Sequence, residues 1–168
     1  MCLSWFGRGC TERANTTWPI NTGPRRFREH QLRDPDIGPV LRWMESGSRP
    51  TGAVVARSSP AARHYWTLWK SLVLKGGILY KSQLKGNCVE SYLQLVTPAS
   101  MREGILQQMH DGQLAGHLGK KKTREKILER YYWFGVREDA NNWVLKCDTC
   151  ATLKHLIKAL EPLLDPCQ

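Results

Sequence analysis

Residues 110–150 read HDGQLAGHLGKKKTREKILERYYWFGVREDANNWVLKCDTC, and this stretch decides the fold. It holds a His-x6-His pair, His110 and His117, and then, with 29 residues between, a Cys-x2-Cys pair, Cys147 and Cys150. Two imidazoles and two thiolates are a complete tetrahedral ligand set for zinc, with no position left for water. A closed site of that kind holds a fold together and does not catalyse. The four residues are therefore expected to bind one structural Zn2+.

The spacing constrains how the chain reaches the ion. Two imidazole nitrogens on one zinc lie roughly 3–4 Å apart. Seven residues of unbroken helix would separate their Cα atoms by about 10.5 Å along the axis. Asp111, Gly112 and Gly116 relieve the conflict by letting the chain turn back. His110 is thus expected to end one helix and His117 to come from the following loop. Cys147-Asp148-Thr149-Cys150 has the two-residue knuckle spacing of a metal site, and Asp148 or Thr149 is placed to cap a short helix beyond it. His30, His64 and His155 lack such partners and are read as non-ligands.

Working outward, Thr97-Pro98 opens a helix over about 98–110, with Met101, Ile105 and Met109 on one face. A second helix is expected over about 120–131, with Ile127, Leu128 and Tyr131 together. A third is expected over about 136–146, where Val136, Ala140, Trp143 and Val144 recur at helical spacing. Trp133, Trp143, Tyr131 and Tyr132 are read as core rather than as stacking platforms. Upstream, Ser59-Pro60 repeats the cap signature, and Tyr65, Leu68, Trp69 and Leu72 form one apolar helical stripe. LVLKGGILY (72–80) reads as a hairpin turning at Lys75-Gly76-Gly77, YLQLV (92–96) as a third strand alternating in period two, and the intervening KGN as a loop.

Residues 1–58 are poor in apolar periodicity and carry Gly, Pro, Arg and Ser throughout; they are read as largely disordered or linker, apart from a short helix at 36–45. The expected organisation is a linker at 1–58, a helix plus β-hairpin extension at 59–97, a zinc-binding domain at 98–156 and a tail at 157–168. The fold class is mainly α with a small β extension: a zinc-stabilised three-helix bundle preceded by a short three-stranded sheet. A region of that size is marginal on hydrophobic burial alone, so most of its stability is assigned to the metal, worth about 10–16 kcal/mol.

The 168 residues carry 25 Lys and Arg against 15 Asp and Glu, for a net charge of +10. That excess is spread over everything except the acidic tail and favours a polyanionic partner, phosphate backbones being the commonest. Lys120, Lys121, Lys122 and Arg124 cluster beside the zinc loop and are the candidate nucleic-acid contacts. Of six cysteines only Cys147 and Cys150 have metal spacing. No secretory leader or membrane-length apolar run is legible, which favours an intracellular protein with reduced thiols, nuclear if it binds DNA.

The same residues carry a resemblance. His110, Gly116-His117-Leu118-Gly119, Lys122-Thr123, Tyr131-Tyr132-Trp133, Cys147, Cys150 and Lys154 resemble the HHCC zinc-binding domain of gypsy-type LTR-retrotransposon integrases. The likeness is specific over 110–154 and extends more loosely to about 60–156. It implies a helix-turn-helix-like bundle that assists multimerisation and contacts DNA ends. This chain has Phe134-Gly135 where that family usually has Pro-Gly, and Ala151 where Gln is common. Integrase catalysis rests on three carboxylates in a core that follows the zinc domain, and the 18 residues after Cys150 are too few to supply it. The expected protein is therefore a truncated, non-catalytic zinc module that binds DNA or associates with itself or an integrase-like chain. The other readings are a protein-interaction module without DNA binding, or a retroelement relic. Neither a membrane nor a small-molecule substrate is expected.

Overall fold

Lys75 pairs with Ile78 across Gly76 and Gly77, whose φ angles of +57° and +72° suit a two-residue hairpin turn. In the computed structural model, which describes residues 19, 22–84, 91–112 and 115–160 (157–160 without side chains), this hairpin opens a four-stranded sheet. β1 (Leu72–Lys75), β2 (Ile78–Leu84) and β3 (Ser91–Val96) form an antiparallel meander. A fourth strand, β4 (Tyr131–Tyr132), adds in parallel to β3, giving the order β1-β2-β3-β4. The expected KGN loop falls outside the described residues.

Around the sheet lie α1 (Pro24–Arg33), α2 (Ile37–Glu45), α3 (Gly52–Ala56) and α4 (Pro60–Thr67) on the N-terminal side. The zinc-bearing half supplies α5 (Ala99–His110), α6 (Lys120–Leu128), α7 (Val136–Leu145) and α8 (Asp148–Leu160). Both sheet faces are covered. Ile78, Tyr80, Leu93 and Leu95 pack against Ile105, Met109, Ile127, Tyr131, Trp133 and Ala140. Leu72, Leu79 and Val96 pack against Ile37, Leu41, Ala62 and Tyr65. Leu93 through Val96 are consequently all buried, Gln94 included, so the alternation in β3 separates two cores rather than core from solvent.

The expectation that residues 1–58 are largely disordered is corrected for the described part of that stretch. The helix expected at 36–45 is α2, and α1 and α3 lie outside it. Phe27 is wholly buried in the core shared by sheet and zinc half. Gln31, also wholly buried, donates to the carbonyls of Leu79 (3.0 Å) and Val96 (2.6 Å) and accepts from the Leu79 amide (2.9 Å). Its side-chain amide thus stands in for a strand neighbour where the β2–β3 ladder ends. Asp34 accepts from the amides of Asp36 and Ile37 and, 65 residues away, from that of Ala99. These ties escape sequence reading because α1 is strongly polar and its stability comes from tertiary contacts, not from a periodic apolar face.

Two helix ends also differ from expectation. Ser59 does cap α4, accepting from the Ala62 amide at 3.1 Å, but α4 stops at Thr67. Trp69–Ser71 form a single 3₁₀ turn and Leu72 starts β1, so the Tyr65–Leu72 stripe is not one helical face. At α5 the cap is not Thr97, whose hydroxyl donates to the Leu95 carbonyl; Asp34 supplies it instead. The second zinc-side helix ends at Leu128, because Tyr131 and Tyr132 are drawn into the sheet through Leu95 N–H to Arg130 C=O and Thr97 N–H to Tyr132 C=O, both 2.8 Å.

Candidate metal centre

α5 ends at His110 as the breaker residues require, and its wholly buried imidazole points into the junction of α5, α6 and α8. Gly112 permits the turn, since a Cβ there would stand 2.6 Å from the Gln108 carbonyl oxygen. Gly116 follows at φ +65°, and His117 itself lies at φ +45°, a left-handed conformation that a branched or bulky residue resists. α7 begins after Gly135, at φ +85°, and runs to Leu145, so Cys147 sits just past its end and Cys150 in the first turn of α8.

These four segments bring one donor atom each from His110, His117, Cys147 and Cys150 to within 4.8 Å of one another. The Cys147 sulfur is 3.3 Å from His117 Nδ1, and the Cys150 sulfur 3.3 Å from His110 Nε2. Zn–S and Zn–N bonds of ordinary length at the tetrahedral angle imply a sulfur–nitrogen separation of roughly 3.6 Å. The two imidazole rings stand nearly perpendicular, at 88°. Donor set and spacing therefore fit a tetrahedral zinc ion, with Nε2 of His110 and Nδ1 of His117 as the nitrogen ligands. Among the described residues this is the one such His/Cys cluster. His30 instead bonds Ser100 Oγ (2.9 Å) and His64 the Tyr132 hydroxyl (2.7 Å).

The surroundings orient the ligands. Thr123, wholly buried in α6, donates its hydroxyl proton to the Leu118 carbonyl at 2.7 Å. Its oxygen is then free to accept from His110 Nδ1, 3.2 Å away, which fixes the proton on Nδ1 and leaves Nε2 for the metal. Asp111 stands outside the donor set, 3.8 Å from His117 Nδ1, and accepts from Trp143 Nε1 at 3.1 Å. Burial lowers the basicity of His110 and, with the neighbouring Cys147, pushes the Cys150 thiol up. A neutral imidazole is what a metal needs, whereas two adjacent thiolates need its positive charge to form. Sequence reading missed the roles of Thr123 and Asp111: the Lys-Thr pair was visible, but only the fold brings Thr123 against His110, and Asp111 registered only as a helix breaker.

Lys120, Lys121 and Lys122 lie exposed on the first turn of α6 and Arg124 is partly covered. No ion pair joins any of the four to a described carboxylate, including Glu125 and Glu129. Trp133 and Tyr131 are wholly buried; Trp143 and Tyr132 are partly so. No described helix is long and apolar enough to cross a membrane.

A zinc-binding module is the class this geometry defines. Residues 97–156, a little over a third of the chain, match the family model of the integrase zinc binding domain. The matched segment opens at the β3–α5 junction, contains all four donors and ends within α8. That domain binds zinc, and His110, His117, Cys147 and Cys150 form the single candidate site for it here.

Proposed function

We propose that the chain is a non-catalytic, zinc-held DNA-binding module of the gypsy integrase type, gripping phosphates through Lys120, Lys121, Lys122 and Arg124. The observation that carries this reading is the first turn of α6. Three exposed lysines and no acidic residue stand there, on a helix whose N-cap, Gly119, offers no side-chain acceptor. Cations at a helix N-terminus oppose the helix dipole and destabilise the helix by some tenths of a kcal/mol each. A phosphate at that point would be met by the ammonium groups and the uncapped backbone N–H groups together. Gly119 and His117 are two residues apart, and Thr123, one residue past the lysines, bonds His110. Zinc would thereby hold the cationic turn in place. The closed four-donor set leaves no ligand position for an attacking water, which supports a binding rather than a catalytic role.

Fluorescence anisotropy of the zinc-loaded chain with duplex DNA over a salt series tests the reading. Replacing Lys120, Lys121 and Lys122 by Gln should weaken binding at low salt and flatten the log–log salt slope by about 0.9 for each phosphate no longer neutralised, up to about 2.7. An unchanged slope would exclude this turn as the DNA-binding surface.

A second reading, self-association, has its own support. Leu145, Leu153 and Leu156 are 58%, 46% and 55% exposed, along the end of α7 and one side of α8. Light scattering of the wild type against Leu153→Gln/Leu156→Gln separates it: a dimer abolished in the variant, with DNA affinity kept, would assign α8 to multimerisation and leave α6 to DNA.

A further inference from the structure

Lys81 is 9% exposed, and its ammonium bonds only neutral acceptors: Gln83 Oε1 at 2.7 Å and Gln94 Oε1 at 3.2 Å, with the Tyr132 ring centre 4.5 Å away. Among the described residues no carboxylate is paired with it. Buried ammonium groups are normally neutralised by a carboxylate or another anion, because desolvation penalises the bare charge. The register explains how the lysine arrives there. Lys81 lies on the sheet face that carries Leu79 and Val96, paired with Leu72 of β1 and Gln94 of β3.

The ammonium borders a cavity of about 570 Å³ between the sheet, α4 and the connection from β4 into α7. That volume falls within the range of small-molecule sites. Arg137, exposed on the first turn of α7, adds a second cation to the lining, and Glu138 is the one acidic residue in it. Tyr92 and Phe134 give the cavity planar apolar walls; Phe134 is 41% exposed, with its ring 5.1 Å from that of His64. The cavity meets Leu128 at the far end of α6, about 12 Å along the helix axis from Lys120, so it is separate from the cationic first turn.

We propose that this cavity binds a nucleotide-sized organic anion, with its phosphate taken by Lys81 and Arg137 and its planar ring laid against Phe134 and Tyr92. The ligand supplies the anion that Lys81 lacks. Tyr132 and His64, joined by their 2.7 Å hydrogen bond, form the wall behind the phosphate. Glu138 opposes the ligand's charge at the rim and sets its affinity below what the two cations alone would give.

Calorimetric titration of the full, zinc-loaded chain tests this with three probes: adenosine 5′-monophosphate, inorganic phosphate and adenosine. The monophosphate should bind more tightly than phosphate, and adenosine should not bind measurably. Lys81→Met should weaken the monophosphate by on the order of tenfold or more. Arg137→Gln should weaken it about two- to fivefold and Glu138→Gln strengthen it by a similar factor; both replace exposed side chains, so the fold is not at risk. The Lys120/Lys121/Lys122→Gln variant should keep the wild-type affinity, which separates this site from the DNA-binding turn. No binding of the monophosphate at millimolar concentration would overturn the proposal. So would equal binding of adenosine, or affinities indifferent to both Arg137→Gln and Glu138→Gln.

Discussion

Replacing Thr123 by valine exchanges a hydroxyl for a methyl of nearly the same size, at a wholly buried position where shape is preserved. Two hydrogen bonds disappear: the one donated to the Leu118 carbonyl at 2.7 Å and the one accepted from His110 Nδ1 at 3.2 Å. In the zinc-bound fold the Nδ1–H of His110 then loses the Thr123 oxygen and is left with the Leu118 carbonyl alone, and a poorly paired buried donor costs up to about 1–3 kcal/mol. The ring is then held less firmly in the orientation that aims Nε2 at the metal. In the metal-free chain the site is looser and both groups can find water, so most of the penalty falls on the bound state. Zinc affinity should therefore drop about 10- to 100-fold, or about 1.4–2.7 kcal/mol. Competition against a chromophoric chelator at neutral pH measures it directly. Thr123→Ser keeps the hydroxyl and should recover most of the affinity. If the valine variant binds zinc as the wild type does, or if serine is as weak as valine, Thr123 does not orient His110.

Chelation of zinc, or Cys147→Ser, should lower the melting temperature and the helical circular dichroism signal, because Cys147 and Cys150 join α7 and α8 to α5 through the metal. Zinc affinity should also rise with pH. The Cys150 thiol sits above its ordinary range, so metal binding must displace its proton, and calorimetry in buffers of different ionisation heat should detect that release. Phe27→Ala should destabilise the zinc-loaded chain by about 3–5 kcal/mol in urea unfolding, as a fully buried aromatic does; a negligible change would mean that α1 is not part of the core. Gly135→Ala should cost about 1–2 kcal/mol with zinc stoichiometry unchanged, since a Cβ there meets nothing within 4 Å and only the φ of +85° opposes it.

What sequence alone determined is local. Ligand type and spacing specified a four-donor zinc site, and the glycines near His117 marked where the chain must turn. Apolar periodicity located α5 and α7 nearly to the residue, and Gly76-Gly77 located the hairpin. The turns, helices and each half of the ligand set follow from neighbours within a few residues, where propensity, turn geometry and metal-ligand reach act directly. Tertiary structure decided the rest. α1 carries too little apolar surface to announce itself, and it stands because Phe27 and Gln31 dock on a sheet about 50 residues away. Tyr131 reads as the end of a helix until β3 offers its free edge to Tyr131 and Tyr132. Thr123 becomes a partner of His110, and Asp34 the cap of α5, only once segments remote in sequence share one core. Nothing near Lys81 in the sequence marks it as a buried charge; Gln94 of β3 and the Tyr132 ring of β4 enclose it. Hydrogen bonds and burial between distant segments leave no periodic trace in the chain, so they are legible only after it has folded.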